Sequence, residues 1–241
     1  MNSTQRFGTR AKAYAAFRPS YPPAAVDAAL AGLGDPHALT IADIGAGTGI
    51  SSRLFAERGA HVIAIEPNGP MREAAEPHDR IEWRDGTATK TGLPDASVDA
   101  AVACQAFHWF ANAEAMNELR RIARRRAGVL QYERDERDAF TRAYGDVVRS
   151  YATDDTEALR RAALAAFGAF PGARITQSEF PSRQPLDLDG LLGRAASSSY
   201  LPASGEEGER LGADLRALFD RFQTGGCIEL AMVTYVLLAD W

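Results

Sequence analysis

An apolar run, Thr40-Ile41-Ala42-Asp43-Ile44, opens directly into Gly45-Ala46-Gly47-Thr48-Gly49, after which Ile50, Leu54 and Phe55 recur at helical spacing. A strand that feeds a helix through alternate glycines admits few architectures. Glycine adopts backbone torsions closed to other residues and leaves room for a ligand against the main chain. In a doubly wound sheet the ligand crevice lies beyond the carboxyl ends of the strands, and the turn after the first strand is its floor. A glycine-rich turn can also be no more than a tight corner, so the segments that accompany it decide its meaning.

Those segments repeat the alternation of strand and helix. His61-Val62-Ile63-Ala64-Ile65 reads as a second strand ending at Glu66-Pro67, and Asn68 as the cap of a helix containing Met71 and Ala74. Ile81 to Arg84 is a third strand, Val98 to Cys104 a fourth and Gly128 to Tyr132 a fifth, with a helix from about Ala113 to Arg124 between the last two. Several of these runs are apolar throughout, as expected of parallel strands covered on both faces. Beyond Asp135 the pattern predicts helices over Ala139 to Tyr151 and Glu157 to Phe167, and an alternating strand near Arg174 to Phe180. Surface loops are expected over Leu191 to Arg210, and a closing strand over Met232 to Leu238, so that two C-terminal strands join the sheet.

With 241 residues, 46% of them hydrophobic and 24% charged, the chain suffices for one domain with its own core. The expected division within it is a lid segment over 1–34, a cofactor-binding core over 38–134, and a helical insertion with acceptor-side segments and strands over 135–241. A net charge of -5 gives no overall attraction to nucleic acid or to an anionic membrane surface. Arg120, Arg121, Arg124, Arg125 and Arg126 are expected to sit near a helix C-terminus and face solvent. Cys104 and Cys227 stand apart, without metal-ligand or disulfide-scaffold spacing, so both are expected as free thiols and no metal is expected. No uninterrupted apolar stretch approaches the roughly 20 residues that span a bilayer, and the first residues lack a secretory pattern, so the expected location is cytoplasmic.

Glu66 follows the glycine turn by one strand-helix-strand unit, at a strand end where a carboxylate can accept hydrogen bonds from both hydroxyls of a ribose. Dinucleotide sites use the same pair of features, but their fingerprint places Gly or Ala three residues after the second glycine. Here that position is Ile50, with Gly49 one residue earlier. Asp43-Ile44-Gly45-Ala46-Gly47-Thr48-Gly49 resembles motif I of the class I S-adenosylmethionine-dependent methyltransferases of the type 11 kind. Further similarities occur in order along the chain: Glu66, Asp85-Gly86-Thr87-Ala88, Leu93-Pro94-Asp95-Ala96-Ser97-Val98-Asp99, and Gln105-Ala106-Phe107-His108-Trp109-Phe110. The resemblance covers about residues 8 to 132. Tyr14-Ala15-Ala16-Phe17-Arg18-Pro19-Ser20-Tyr21-Pro22, with Phe107 to Phe110, is similar to small-molecule methyltransferases that include trans-aconitate methyltransferase-like proteins. Thr89 departs from the acidic residue that many relatives carry after Ala88.

The resemblance implies a Rossmann-like, doubly wound α/β fold with a mostly parallel seven-stranded sheet, an antiparallel C-terminal strand and helical lid segments. It also implies a bound S-adenosylmethionine. Gly45, Ala46 and Gly47 would pack against its methionine and ribose parts, with Asp43 orienting the loop and Glu66 holding the ribose. Pro67 and Met71 would wall the adenine, a soft contact that suits a thioether, and Thr87 and Ala88 would meet its polar edge. Gln105 and His108 would lie near the sulfonium and amino-acid end, which Tyr14 and Arg18 would also reach. Tyr21 and Trp109 are the candidates on the acceptor side.

His108 is also the candidate base, since a histidine can titrate near neutrality; the plainer role is a hydrogen bond to backbone while Phe107, Trp109 and Phe110 pack into the core. The function expected is methyl transfer to an oxygen, nitrogen or carboxylate of a small molecule, by a monomer or homodimer with no nucleic-acid or membrane partner. A non-catalytic S-adenosylmethionine sensor and a nicotinamide-dependent oxidoreductase are the alternatives left open.

Overall fold

The computed structural model describes residues 17–202 and 204–241, so Tyr14 lies outside the described residues. Its strands are β1 (Thr40–Ile44), β2 (His61–Ile65), β3 (Ile81–Arg84), β4 (Val98–Cys104), β5 (Ala123–Arg134), β6 (Arg174–Leu186) and β7 (Ile228–Asp240). They form one seven-stranded sheet in the order β3-β2-β1-β4-β5-β7-β6. β1 to β5 run parallel, and β7 lies antiparallel between β5 and β6. The chain winds outward from β1 to β3, then returns to lay β4 on the other side of β1. The crevice therefore opens beyond the carboxyl ends of β1 and β4.

The parallel strands are apolar throughout because both faces are covered. Every residue of β4 is buried. Ile41, Val102 and Leu130 point into one core with α1 (Pro23–Leu30), α2 (Ile50–Glu57), α5 (Ala139–Tyr151) and α8 (Gly205–Phe222). Ala42, Ala101 and Val129 point into the other, with α4 (Ala113–Ile122) and α6 (Thr156–Gly168). The short α3 (Gly69–Glu73) comes after β2, and α7 (Leu188–Ala196) after β6.

Four local expectations differ from the structure. The helix before β5 ends at Ile122, so Arg124, Arg125 and Arg126 lie on a strand and not at a helix C-terminus. Their charges are engaged. Arg124 and Arg125 pair with Asp99, and the buried Arg126 pairs with Asp240 at 2.6 Å while donating to the carbonyls of Ala29 and Ala31, which ties α1 to β7. Residues 191–210, expected as surface loops, contain most of α7 and the start of α8. The Asp187 carboxylate accepts from the Gly190 amide to start α7, and Leu191, Ala195, Leu211 and Leu215 are buried at helical intervals that the surrounding Ser, Gly and Glu obscure. Asn68 does occupy the N-cap of α3, but its side chain makes no capping bond. Finally β5, β6 and β7 extend beyond their expected spans, β5 over Ala123–Arg134 and the other two pairing from Arg174↔Asp240 to Leu186↔Ile228.

Among the described residues no helix is long and apolar enough to cross a membrane. One packing contact bears directly on the crevice. Phe167 of α6 is fully buried and meets Phe107 edge-on, with ring centroids 5.4 Å apart, which presses α6 against the turn after β4. Phe167→Ala removes that wedge and is expected to cost about 3–5 kcal/mol of stability. Urea unfolding checks it, and a loss under about 1 kcal/mol would contradict the packing.

Candidate active site

The glycine turn after β1 is stitched to the end of β2. The amides of Gly45 and Ala46 donate to the Ile65 carbonyl at 2.8 and 3.1 Å, and the Gly47 amide donates to Glu66 Oε2 at 3.0 Å. The Asn68 amide donates to Glu66 Oε1 at 2.8 Å. Each carboxylate oxygen is thus held by one backbone N–H and keeps lone-pair capacity for a second donor. Burial raises the Glu66 pKa, against the opposing hydrogen bonds from Asn68 and Gly47. Gly45 and Gly47 both have positive φ, +73° and +61°. A Cβ on Gly45 would come within 2.8 Å of the Ala106 Cβ, and one on Gly47 within 3.4 Å of the Met71 Cε, so the absence of side chains holds the cradle open.

Behind the turn, Asp43 accepts from the hydroxyls of Ser51 and Ser52, both at 2.7 Å, and so fixes the first turn of α2 to β1. Asp43 lies under the cavity and does not line it. Its full burial pushes the carboxyl up to about 6, opposed by the two serine hydroxyls and reinforced by the charge of Glu66.

A cavity of about 350 Å³ sits on this floor. Gly45, Ala46, Gly47 and Glu66 line it on the sheet side, joined by Pro67 and Met71 from the β2–α3 junction and by Thr87 and Ala88 after β3. Thr89 lines it too, with its hydroxyl 3.4 Å from that of Thr87, so the cavity carries a neutral hydroxyl at this position. Arg18, Tyr21 and Trp109 also line it, and Arg18 donates to the Ser197 carbonyl at 3.3 Å. The chain therefore brings together every site residue expected from sequence that it describes, except Asp43.

Gln105 and His108 reach the cavity in states that sequence did not suggest. Gln105 has φ +53°, an uncommon torsion for a residue with a Cβ. Its side-chain amide is committed to β5: Nε2 donates to the Tyr132 carbonyl at 3.2 Å, and Oε1 accepts from the Tyr132 amide at 3.0 Å. That clamp fixes the strand-end corner from which His108 projects. His108 is buried in a 3-10 turn, Phe107–Trp109, with its Nδ1 lacking a hydrogen-bond partner. Burial, then the charges of Arg160 and Arg18, push it down to about 3. The expectation that this histidine titrates near neutrality is corrected: the ring is neutral at pH 7.

Sequence reading overlooked Tyr132, Thr156, Arg160, Ser199 and Tyr200, which complete the wall. The available signal was Arg160, a cation on the buried stripe of α6 that also carries Thr156, Ala163 and Phe167. Among the described residues no group of His, Cys, Asp or Glu is arranged to hold a metal ion.

Residues 42–130 match a family model described as a methyltransferase domain. An uncharacterized methyltransferase of Mycobacterium tuberculosis is 38% identical over 147 residues, which cover 59% of this chain and 58% of that protein's length. An uncharacterized methyltransferase of Schizosaccharomyces pombe is 28% identical over 87% of this chain and 85% of its own. Among solved structures, a protein named as a type II methyltransferase from Anaeromyxobacter dehalogenans superposes with a TM-score of 0.65 at 24% identity, covering 93% of this chain and 97% of its own. A protein named as a methyltransferase from an antibiotic biosynthesis pathway of Anabaena variabilis gives 0.61 at 26% identity, covering 87% and 95%.

The Asp43 arrangement carries a pH signature. A carboxyl whose folded pKa, about 6, exceeds its unfolded value, 3.8, binds more protons in the folded state between those values. Stability contributed by its neutral form is present at low pH and is lost as pH rises through that window, by about 3 kcal/mol. Asp43→Asn keeps an acceptor for both serines and is expected to flatten the pH 4–6 slope of unfolding free energy. An unchanged slope would contradict the assignment.

Proposed function

We propose that this chain is a class I S-adenosylmethionine-dependent methyltransferase that transfers a methyl group from that cofactor to a small-molecule acceptor, a reading supported by the methyltransferase-domain match and the methyltransferase-named relatives. The observation that carries the proposal is the Glu66 carboxylate, fixed by the Gly47 and Asn68 amides at the edge of an open glycine cradle. A carboxylate so held can accept both hydroxyls of a ribose without moving. The cofactor supplies, when bound, a methyl carbon on a positively charged sulfur that is open to in-line displacement.

The residues divide the work by position. Pro67 and Met71 offer an apolar slot for a flat ring, and the Thr87-Ala88 segment lies at its edge. The bare backbone at Gly45 and Gly47 lets the ligand's amino-acid half lie close to the sheet, and Arg18 lines the same cavity as a candidate partner for its carboxylate. Tyr14 is assigned to the same end by the resemblance alone. Tyr21 and Trp109 then bound the acceptor's share of the cavity. Holding acceptor and methyl carbon about 3–3.5 Å apart and in line supplies much of the rate, because a bimolecular encounter becomes a unimolecular step.

His108 lines the same space as a neutral ring. A group with its pKa near 3 is a weak base, so its contribution is to accept a hydrogen bond from an acceptor hydroxyl or amine and orient the attacking lone pair. Such an interaction belongs to the transition state more than to cofactor binding.

Calorimetry is expected to show S-adenosylmethionine and S-adenosylhomocysteine binding at micromolar levels and nicotinamide dinucleotides not binding; the reverse selectivity would overturn the proposal. Gly47→Arg fills the cradle and is expected to weaken that binding at least 100-fold, in protein whose circular dichroism matches the wild type. A screen of carboxylates, phenols and amines with methyl-labelled cofactor separates an enzyme from a sensor, since a sensor gives no labelled product. With an acceptor in hand, His108→Ala is expected to lower kcat at least tenfold with cofactor affinity changed less than threefold. Unchanged kcat would remove His108 from the reaction.

A further inference from the structure

Past His108 the cavity continues to the buried face of α6. Thr156 and Arg160 stand about one turn apart there, in line with Ala163 and Phe167, and the Phe167–Phe107 contact fixes that face against the turn that carries His108. Arg160 is 7% exposed. Its Nε is enclosed without a hydrogen-bond partner, and its nearest carboxylate, Glu133, stands 3.9 Å away, beyond hydrogen-bond distance. A guanidinium carries five N–H donors and is always charged. Withdrawing one from water without giving those donors acceptors is costly, and an anionic ligand would supply the missing acceptors.

The rest of the chamber favours the same kind of ligand. Thr156, Ser199 and Tyr200 line the wall together with Arg160, the Thr156 hydroxyl donating to the Asp154 carboxylate, and Arg18 lines the cavity as well. The backbone of the 199–200 segment is anchored, since the Thr153 amide and hydroxyl both donate to the Tyr200 carbonyl, at 2.9 and 3.1 Å. Two neighbours register the positive field. Burial alone would raise the Tyr200 phenol, yet the charges of Arg160, Arg18 and Arg134 outweigh it and its pKa falls below the usual value. His108 is held neutral partly by Arg160 and Arg18. Hydroxyls and a guanidinium around a positively biased pocket complement an oxyanion, and arginine binds carboxylate and phosphate through paired N–H donors.

We infer that the methyl acceptor is a small molecule carrying an oxyanion, a carboxylate or a phosphate, and that Arg160 binds this group beside His108 with Thr156 and Tyr200 as its neighbours. The word acceptor rests on the methyl-transfer reading; the anion site rests on Arg160. Selection of acceptors comes from the same arrangement, because a neutral analogue leaves the buried guanidinium without a partner.

The test is calorimetry on the full chain, with and without saturating S-adenosylhomocysteine, using succinate and phenyl phosphate as probes and succinamide and phenol as their neutral counterparts. At least one anion is expected to bind, its neutral counterpart at least tenfold more weakly, and the anion that binds separates carboxylate from phosphate. Arg160→Met is expected to weaken that anion at least tenfold, Arg160→Lys to recover part of the loss, and both to keep S-adenosylhomocysteine affinity within threefold, which also reports that they fold. Equal binding of anion and neutral probe, no binding of either anion, or full anion affinity in Arg160→Met would overturn the inference. A tenfold loss of S-adenosylhomocysteine affinity in Arg160→Met would overturn it too, by giving Arg160 to the cofactor's own carboxylate. If the wild type binds an anion through Arg160 but no S-adenosylhomocysteine, the anion site stands and the methyl-donor reading falls.

Discussion

The hydrogen bond from the Gly47 amide to the Glu66 carboxylate joins the turn after β1 to the end of β2, and the cavity is organised around it. The bond needs two strands in parallel register, and Ile44 pairing with Ile65 brings both strand ends to the same level. It also needs a turn without side chains, since a Cβ at Gly45 would press on Ala106. Asp43 secures the far side of the turn through Ser51 and Ser52, at the cost of a buried carboxyl that prefers to be protonated. Displacing any of these groups would move the carboxylate relative to the apolar slot at Pro67 and Met71.

The reversal of strand order supplies the other half of the site. With β4 returning beside β1, the corner at Gln105 to Trp109 comes to stand opposite Glu66, and the Gln105 amide locks that corner onto β5. The later elements close the space from above. α6 is seated by Phe167 on Phe107, which brings Arg160 and Thr156 into the wall, and the segment after α7 brings Ser199 and Tyr200. The proposed donor pocket is thus built from the parallel strands, and the proposed acceptor chamber largely from helices and loops C-terminal to β5. The Arg160 charge on α6 adds to burial in keeping His108 neutral and, with Arg18 and Arg134, lowers the Tyr200 phenol.

The legibility of the sequence divides along the same line. β1, β2, β3 and β4 have the expected bounds because buried parallel strands are short apolar runs punctuated by Gly, Pro and Asp. The cradle and Glu66 were legible because their chemistry is local, a strand end and the turn beside it. The state of His108 was not, because its pKa depends first on its burial and then on Arg160 and Arg18, which are distant in sequence. Gln105 reads as a free amide until Tyr132 is placed next to it. α7 and α8 were obscured by Ser, Gly and Glu between their buried leucines, and the Arg124 to Arg126 run looked like a solvated cluster until β5, Asp99 and Asp240 gave it partners.

In a crystal structure with S-adenosylhomocysteine bound, both ribose hydroxyls are expected on the Glu66 carboxylate, adenine between Pro67 and Met71, and the thioether sulfur facing the space between His108 and Arg160. A nucleoside bound away from Glu66, or a sulfur facing away from that space, would contradict this arrangement.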